Sequence, residues 1–296
     1  MSRSSNRLRS GDRWLLRFLR LNAFVSGGVI LLVLAFLIGA SIPAFEKVGL
    51  TRFFTDPSWN PSEDAASGRF NLWPILVGSL LVTGGAILLA APLGLGSALF
   101  CRFAAPGKVA ALYRRSIELL AGIPSVVFGF WGLVVLVPIL NQWQPPGQSV
   151  LAAVLILALM ILPTVALIAD ASLGQVPEEY RLSSEALGIS RWAGVRGVLI
   201  PAAGPGILTG ILLATGRAIG ETLAVLMVCG NIVQIPTSIF EPVRTLTANI
   251  ALEMAYAASD HRASLFFTGL ILTALVIVLV VLVERVSHRS EGGRVV

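Results

Sequence analysis

The segment Gly216-Arg-Ala-Ile-Gly-Glu-Thr222 places two opposite charges, Arg217 and Glu221, inside an otherwise apolar stretch. A four-residue spacing predicts that both lie on one face of a helix, where they neutralise each other until a ligand arrives. A lone charge at the centre of a bilayer costs about 2.5–3.5 kcal/mol on insertion scales. An apolar pair would fix helix packing at a lower free-energy cost. The charges therefore read as the lining of a translocation path, the alternative being an ion pair that only holds helices together. A guanidinium presents paired, planar N–H donors that suit a tetrahedral oxyanion. Arg217 thus favours an anionic substrate, Glu221 prevents irreversible capture, and Thr222 adds a hydroxyl donor.

Glycines at four-residue spacing, Gly206 with Gly210 and Gly216 with Gly220, let helix backbones approach closely and keep this segment packed inside protein. A second feature is Gly188-Ile-Ser-Arg-Trp-Ala-Gly-Val-Arg-Gly-Val-Leu-Ile-Pro201. It predicts a short helix ended by glycine, then a basic and aromatic turn, then Pro201 before the next span. That pattern fits a compact cytoplasmic docking element, and its alternative is an ordinary connecting loop. A third is Gly122-Ile-Pro-Ser125, where Pro124 removes a helix hydrogen bond and predicts a kinked span.

Some chemistry is missing. The only lysines, Lys47 and Lys108, lack the Gly-x-x-x-x-Gly-Lys-Ser/Thr context, so the chain holds no P-loop. The only histidines, His261 and His288, belong to no His-Glu-x-x-His motif, which leaves metal-dependent hydrolysis unsupported. No catalytic residue, metal ligand or cofactor site is expected, and the chain reads as a transporter component that is not itself an enzyme.

The elements that must position these residues are long apolar runs. Of 296 residues, 55% are hydrophobic and 13% charged, about half the charged share of a soluble domain. Runs near 21–45, 72–100, 117–140, 150–169, 206–233 and 263–283 reach the length of about 20 residues that a spanning helix needs. Short alternating segments of the barrel type are absent. The class is an all-α integral membrane protein with six transmembrane helices. The first run is too long for a signal peptide and reads as a retained helix.

Of 22 lysines and arginines, only Lys47, Arg52, Arg69, Arg244 and Arg262 fall on the outer side, and Arg217 lies within a span. The others gather on one side, so both termini are cytoplasmic. The net charge of +6 follows from this asymmetry and does not indicate nucleic acid. Cys101 and Cys229 fall near opposite ends of different spans, which argues against a disulfide.

The expected organisation is a basic cytoplasmic arm, 1–20, that either lies against anionic headgroups or is a disordered topology signal. A permease domain follows at 21–285, then a tail at 286–296. Outer loops fall near 46–71, ordered without a long helix; 141–149, uncharged; and 234–262, with a helical Leu-Thr-Ala-Asn-Ile-Ala-Leu stretch. A short basic inner loop is expected at 101–115 and a long one at about 170–205.

The long inner loop resembles the coupling signature of importer-type ABC permeases, Glu-Ala-Ala-x3-Gly-x9-Ile-x-Leu-Pro. Gly188 matches its glycine, and Val198, Ile200 and Pro201 match its end. The opening departs, with Leu182-Ser-Ser184 where Glu-Ala-Ala would stand and Glu185 three residues later. More specifically, the chain is similar to the PstC family of phosphate-importer permeases. The similarity rests on Trp59-Asn60-Pro61, Ala91-Pro-Leu-Gly-Leu-Gly96, Glu118 to Gly129, and above all Gly216 to Asn231.

This resemblance implies a type I ABC permease fold. It also implies a homologous second permease (PstA-like), a dimeric cytoplasmic ATPase (PstB-like) that uses ATP and Mg, and an extracytoplasmic phosphate-binding protein (PstS-like). Arg217 and Glu221 would be the transport-critical charges. Residues around 182–196 would form the coupling helix, with Glu185, Gly188, Arg191, Trp192 and Pro201 in the coupling element. The implied mechanism is alternating access, driven by a separate ATPase, in a multi-pass protein of the bacterial inner membrane. Two alternatives stand beside it: a permease for another oxyanion such as sulfate or molybdate, and a secondary anion transporter with no ATPase partner.

Overall fold

The structure, a computed structural model, describes residues 10–292. The first nine residues of the basic arm and the last four of the tail lie outside the described residues. Six helical spans are long and apolar enough to cross a membrane: Trp14–Val48, Trp73–Ala104, Ser125–Trp143, Val150–Gly174, Arg191–Gly220 and Ser259–Leu282.

Helix α1 (Ser10–Pro43) runs without a break from the arm into the first span, so residues 10–20 continue the span. The first outer loop carries a single turn, α2 (Arg52–Thr55), and a two-residue hairpin, β1 (Trp59–Asn60) paired antiparallel with β2 (Arg69–Phe70). Phe53, Trp59 and Phe70 fill its core, which is why a loop without a long helix is still ordered. Helix α3 (Trp73–Leu99) leads through a π turn to α4 (Gly107–Ala121). The segment expected to be a short inner loop is therefore largely helical. Its polar residues share the helix with Val109, Leu112 and Ile117, and a single amphipathic helix satisfies both.

The third span does not begin at 117 with a kink. It begins at Ser125, after a complete interruption at Gly122–Pro124, and comprises α5 (Ser125–Trp131), a π turn and α6 (Val137–Trp143). Pro124 adopts ψ 140° at the N-cap of α5, a conformation outside the helix, so the chain changes direction there.

Helix α7 (Val150–Gly174) is the central post, with Ile156, Leu157, Ile161 and Val165 fully buried. It packs on α3 and on α10 (Ile200–Gly220). Close approach needs small residues. A Cβ at Gly94 of α3 would lie 2.8 Å from Val165, and one at Gly210 of α10 would lie 2.8 Å from Ile168.

Between α7 and α10 lie α8 (Glu178–Ala186), which Gly188 ends at φ +71°, and α9 (Arg191–Gly194). The glycine-ended helix is as expected. Arg191 and Trp192, however, open the next helix and form no turn, so Pro201 sits in the first turn of α10 within one continuous span.

After α10 the chain breaks and resumes as α11 (Leu223–Val228). Helix α12 (Leu246–Glu253) forms the helical stretch expected in the last outer loop, and α13 (Ser259–Gly292) closes the bundle against α1 and α10.

Candidate translocation site

Helix α10 ends at Gly220, and Glu221 takes an extended backbone at ψ 130°. Arg217 and Glu221 therefore do not share a helical face, and no ion pair joins them among the described residues. The expected mutual neutralisation is not formed, because a break falls between the two residues. Arg217 occupies the last turn of α10, where the helix dipole favours a cation. Its Nη1 donates to Thr164 Oγ1 at 3.3 Å. Thr164 lies about 21 Å along α7 from the outer end, so the guanidinium sits near mid-membrane. It faces the open side of the chain.

Glu221 turns the other way. Its carboxylate accepts from Ala224 N at 3.1 Å and satisfies a free donor at the start of α11. Its carbonyl accepts from Thr247 Oγ1 at 2.8 Å, which ties the break to α12. Thr222 Oγ1 donates to Gly220 O at 3.4 Å. A small cavity of about 10 Å³ beside Glu221 is lined by Ser79, Thr83, Thr245 and Thr247. Hydroxyls from α3 and from the start of α12 thus converge on the break. Sequence spacing gives no sign of this, since Ser79 and Thr247 are far apart along the chain.

The interruption at Gly122–Pro124 lies beside the break at Glu221. Helices α5 and α11 both run outward, and a Cβ at Gly129 would lie 2.7 Å from Ala224 Cα. That contact sets the two breaks within about one turn of each other. Gly216 and Gly220 do not pack against the rest of the chain as expected. A Cβ at Gly216 meets only Leu279 at 3.8 Å, and one at Gly220 meets nothing within 4 Å. Gly206 and Gly210 form the close contact with α7 instead, and Gly220 shares the open side with Arg217.

At the cytoplasmic end, Asp170 of α7 pairs with Arg102 at 3.1 Å and with Arg114 of α4 at 2.7 Å. Arg191 donates to Phe103 O. These bonds fasten the α8–α9 knob and α4 to the central post. Glu185 and Glu178 both pair with Arg181 on the surface of α8. The knob projects Leu187, 77% exposed, and Trp192, 56% exposed, away from the bundle. A hollow of about 470 Å³ separates α8 from the inner end of α7.

A multi-pass bundle with a broken polar span and a projecting cytoplasmic knob defines a membrane permease component. Residues 90–291 match the family described as the binding-protein-dependent transport system inner membrane component, and the chain belongs to that family. It is 39% identical over 243 residues to the probable ABC transporter permease protein YqgH of Bacillus subtilis, covering 81% of this chain and 78% of that protein. It is 34% identical over 262 residues to the phosphate transport system permease protein PstC of Mesorhizobium japonicum, covering 81% and 79%.

Among solved structures it is similar in fold to a chain of the bacterial alginate ABC transporter, with a TM-score of 0.65 and 16% identity over 93% of this chain and 94% of that one. An inward-facing chain of the MetNI methionine ABC transporter gives a TM-score of 0.56 and 18% identity over 74% and 94%. The protein is thus a type I ABC importer permease, a multi-pass subunit of the cytoplasmic membrane that works with an ATPase and a substrate-binding protein.

Proposed function

We propose that this chain is the channel-forming subunit of an importer for inorganic phosphate. It would pair with a PstA-like permease, a PstB-like ATPase dimer that binds the ATP and Mg, and a PstS-like phosphate-binding protein. The observation that carries this reading is Arg217, a guanidinium near mid-membrane that donates to Thr164 and pairs with no carboxylate among the described residues. Free planar N–H donors in a low-dielectric setting favour a tetrahedral oxyanion. Relatives named for phosphate transport over most of the chain narrow the anion to phosphate.

In the cycle we propose, closure of the ATPases moves α8 and α9, and Asp170 carries that motion to α4 and α7. The path then opens outward at the two breaks. Phosphate released by the binding protein meets Arg217, while Thr222 and the hydroxyls near Glu221 supply weaker contacts. Glu221 keeps a negative charge close by, so capture by Arg217 is reversible. Hydrolysis returns the cavity to its inward-open form.

The test is uptake of labelled phosphate by the reconstituted four-component complex with and without ATP, with sulfate and molybdate as competitors. ATP-independent uptake, or displacement of phosphate by either competitor, would overturn the assignment.

A further inference from the structure

One buried polar cluster lies outside the translocation site. The Glu253 carboxylate, 8% exposed at the end of α12, gathers Arg244 and His261 from its own outer segment and Trp59 from the first outer loop. Arg244 Nη1 donates to Oε1 at 2.6 Å, His261 Nε2 lies 2.9 Å from Oε2, and Trp59 Nε1–H donates to both oxygens at 3.0 and 3.2 Å. An ionised carboxylate only accepts, so the His261 Nε2–H donates to it and completes the set.

The cluster is a continuous line of bonds between the outer surface and the path. At one end Trp59 anchors the β1–β2 hairpin, whose loop exposes Glu63, Asp64 and Arg69 on the outer side. At the other, Arg244 Nε donates to Asn231 O at 2.8 Å. Asn231 caps α11, its amide donating to Leu226 O at 2.8 Å from a left-handed backbone at φ 56°. Helix α11 is six residues long and the Glu221 carboxylate accepts from Ala224 N in its first turn, so a shift of its outer end reaches that carboxylate.

We propose that Glu253 is a positioning residue that transmits docking of the binding protein on the Trp59 hairpin to α11. The proposal rests on reading Arg217 and Glu221 as the path. A displacement of the hairpin moves the indole, the indole moves the carboxylate, and Arg244 carries the shift to Asn231. Direct packing alone would not require a donor on Trp59, which Phe70 already contacts edge-on at 6.3 Å.

The test measures phosphate uptake by the reconstituted complex as a function of binding-protein concentration. Trp59→Phe keeps the ring and removes the donor. Glu253→Gln keeps an acceptor for the indole and removes the ion pair with Arg244. Each is expected to lower the maximal rate per assembled complex by about fivefold or more, with an unchanged half-saturating concentration. An unchanged maximum in either variant, a shift confined to the half-saturating concentration, or failure of Trp59→Phe to assemble would overturn the proposal. A wild-type complex that carries no phosphate would instead sink the assigned function, and Arg217→Gln, inactive at every concentration, separates the two.

Discussion

Arg217 Nη1 donates to Thr164 Oγ1 at 3.3 Å, joining the last turn of α10 to the middle of α7. The bond spans the closely packed helix pair that Gly206 and Gly210 permit, so Thr164 aims the guanidinium without neutralising it. Arg217→Gln is therefore expected to reduce phosphate uptake to background while the second permease and the ATPase still co-purify. Thr164→Val keeps the shape and removes the hydroxyl. It should lower uptake about fivefold, as loss of a ~1 kcal/mol hydrogen bond implies. Equal uptake by wild type and Thr164→Val would mean that Arg217 is oriented by other contacts.

Glu221→Gln retains an acceptor for Ala224 N and so leaves the start of α11 intact. What it removes is the negative charge near Arg217. Phosphate should then be held more tightly and released more slowly, giving a lower half-saturating concentration together with a lower maximal rate. Parallel uptake and equilibrium-binding curves check this, and a variant with unchanged binding would exclude the proposed release role.

Leu187 stands at the tip of the cytoplasmic knob, 77% exposed, beside Gly188 in its left-handed conformation. Burial of a leucine at an interface contributes about 1.5–3 kcal/mol. Leu187→Asp should weaken recovery of the ATPase with the permease by about tenfold or more, while the amount of permease in the membrane stays constant. Quantitative co-purification reads this directly.

Gly210 and Gly220 are expected to behave oppositely. A side chain at Gly210 runs into Ile168, so Gly210→Val should destabilise the chain by about 1–3 kcal/mol, seen as a lower melting temperature in detergent. Gly220 meets nothing within 4 Å in its own chain. Gly220→Ala should leave that melting temperature unchanged and instead reduce recovery of the second permease, if the open face beside Arg217 is where that subunit packs.

Apolar run length and the placement of basic residues determined by themselves that the chain crosses the membrane six times. Both are composition effects: a bilayer accepts only satisfied backbone and apolar side chains, whatever the packing. The glycine-ended α8 was legible too, because Gly188 supplies a positive φ that other residues rarely adopt. Only the tertiary structure decided what Arg217 and Glu221 do. A four-residue spacing implies a shared face only in an unbroken helix, and the break at Glu221 is held locally by Ala224 N and, from α12, by Thr247.

The same holds for Gly122–Pro124, where proline predicts a kink but packing of Gly129 against Ala224 accompanies a full change of direction. The clusters around Glu253 and Asp170 were not legible at all. Trp59 is far along the chain from Glu253, as Arg102 and Arg114 are from Asp170, and a burial site shared by Trp59, Arg244, Glu253 and His261 exists only once the outer loops fold over the bundle.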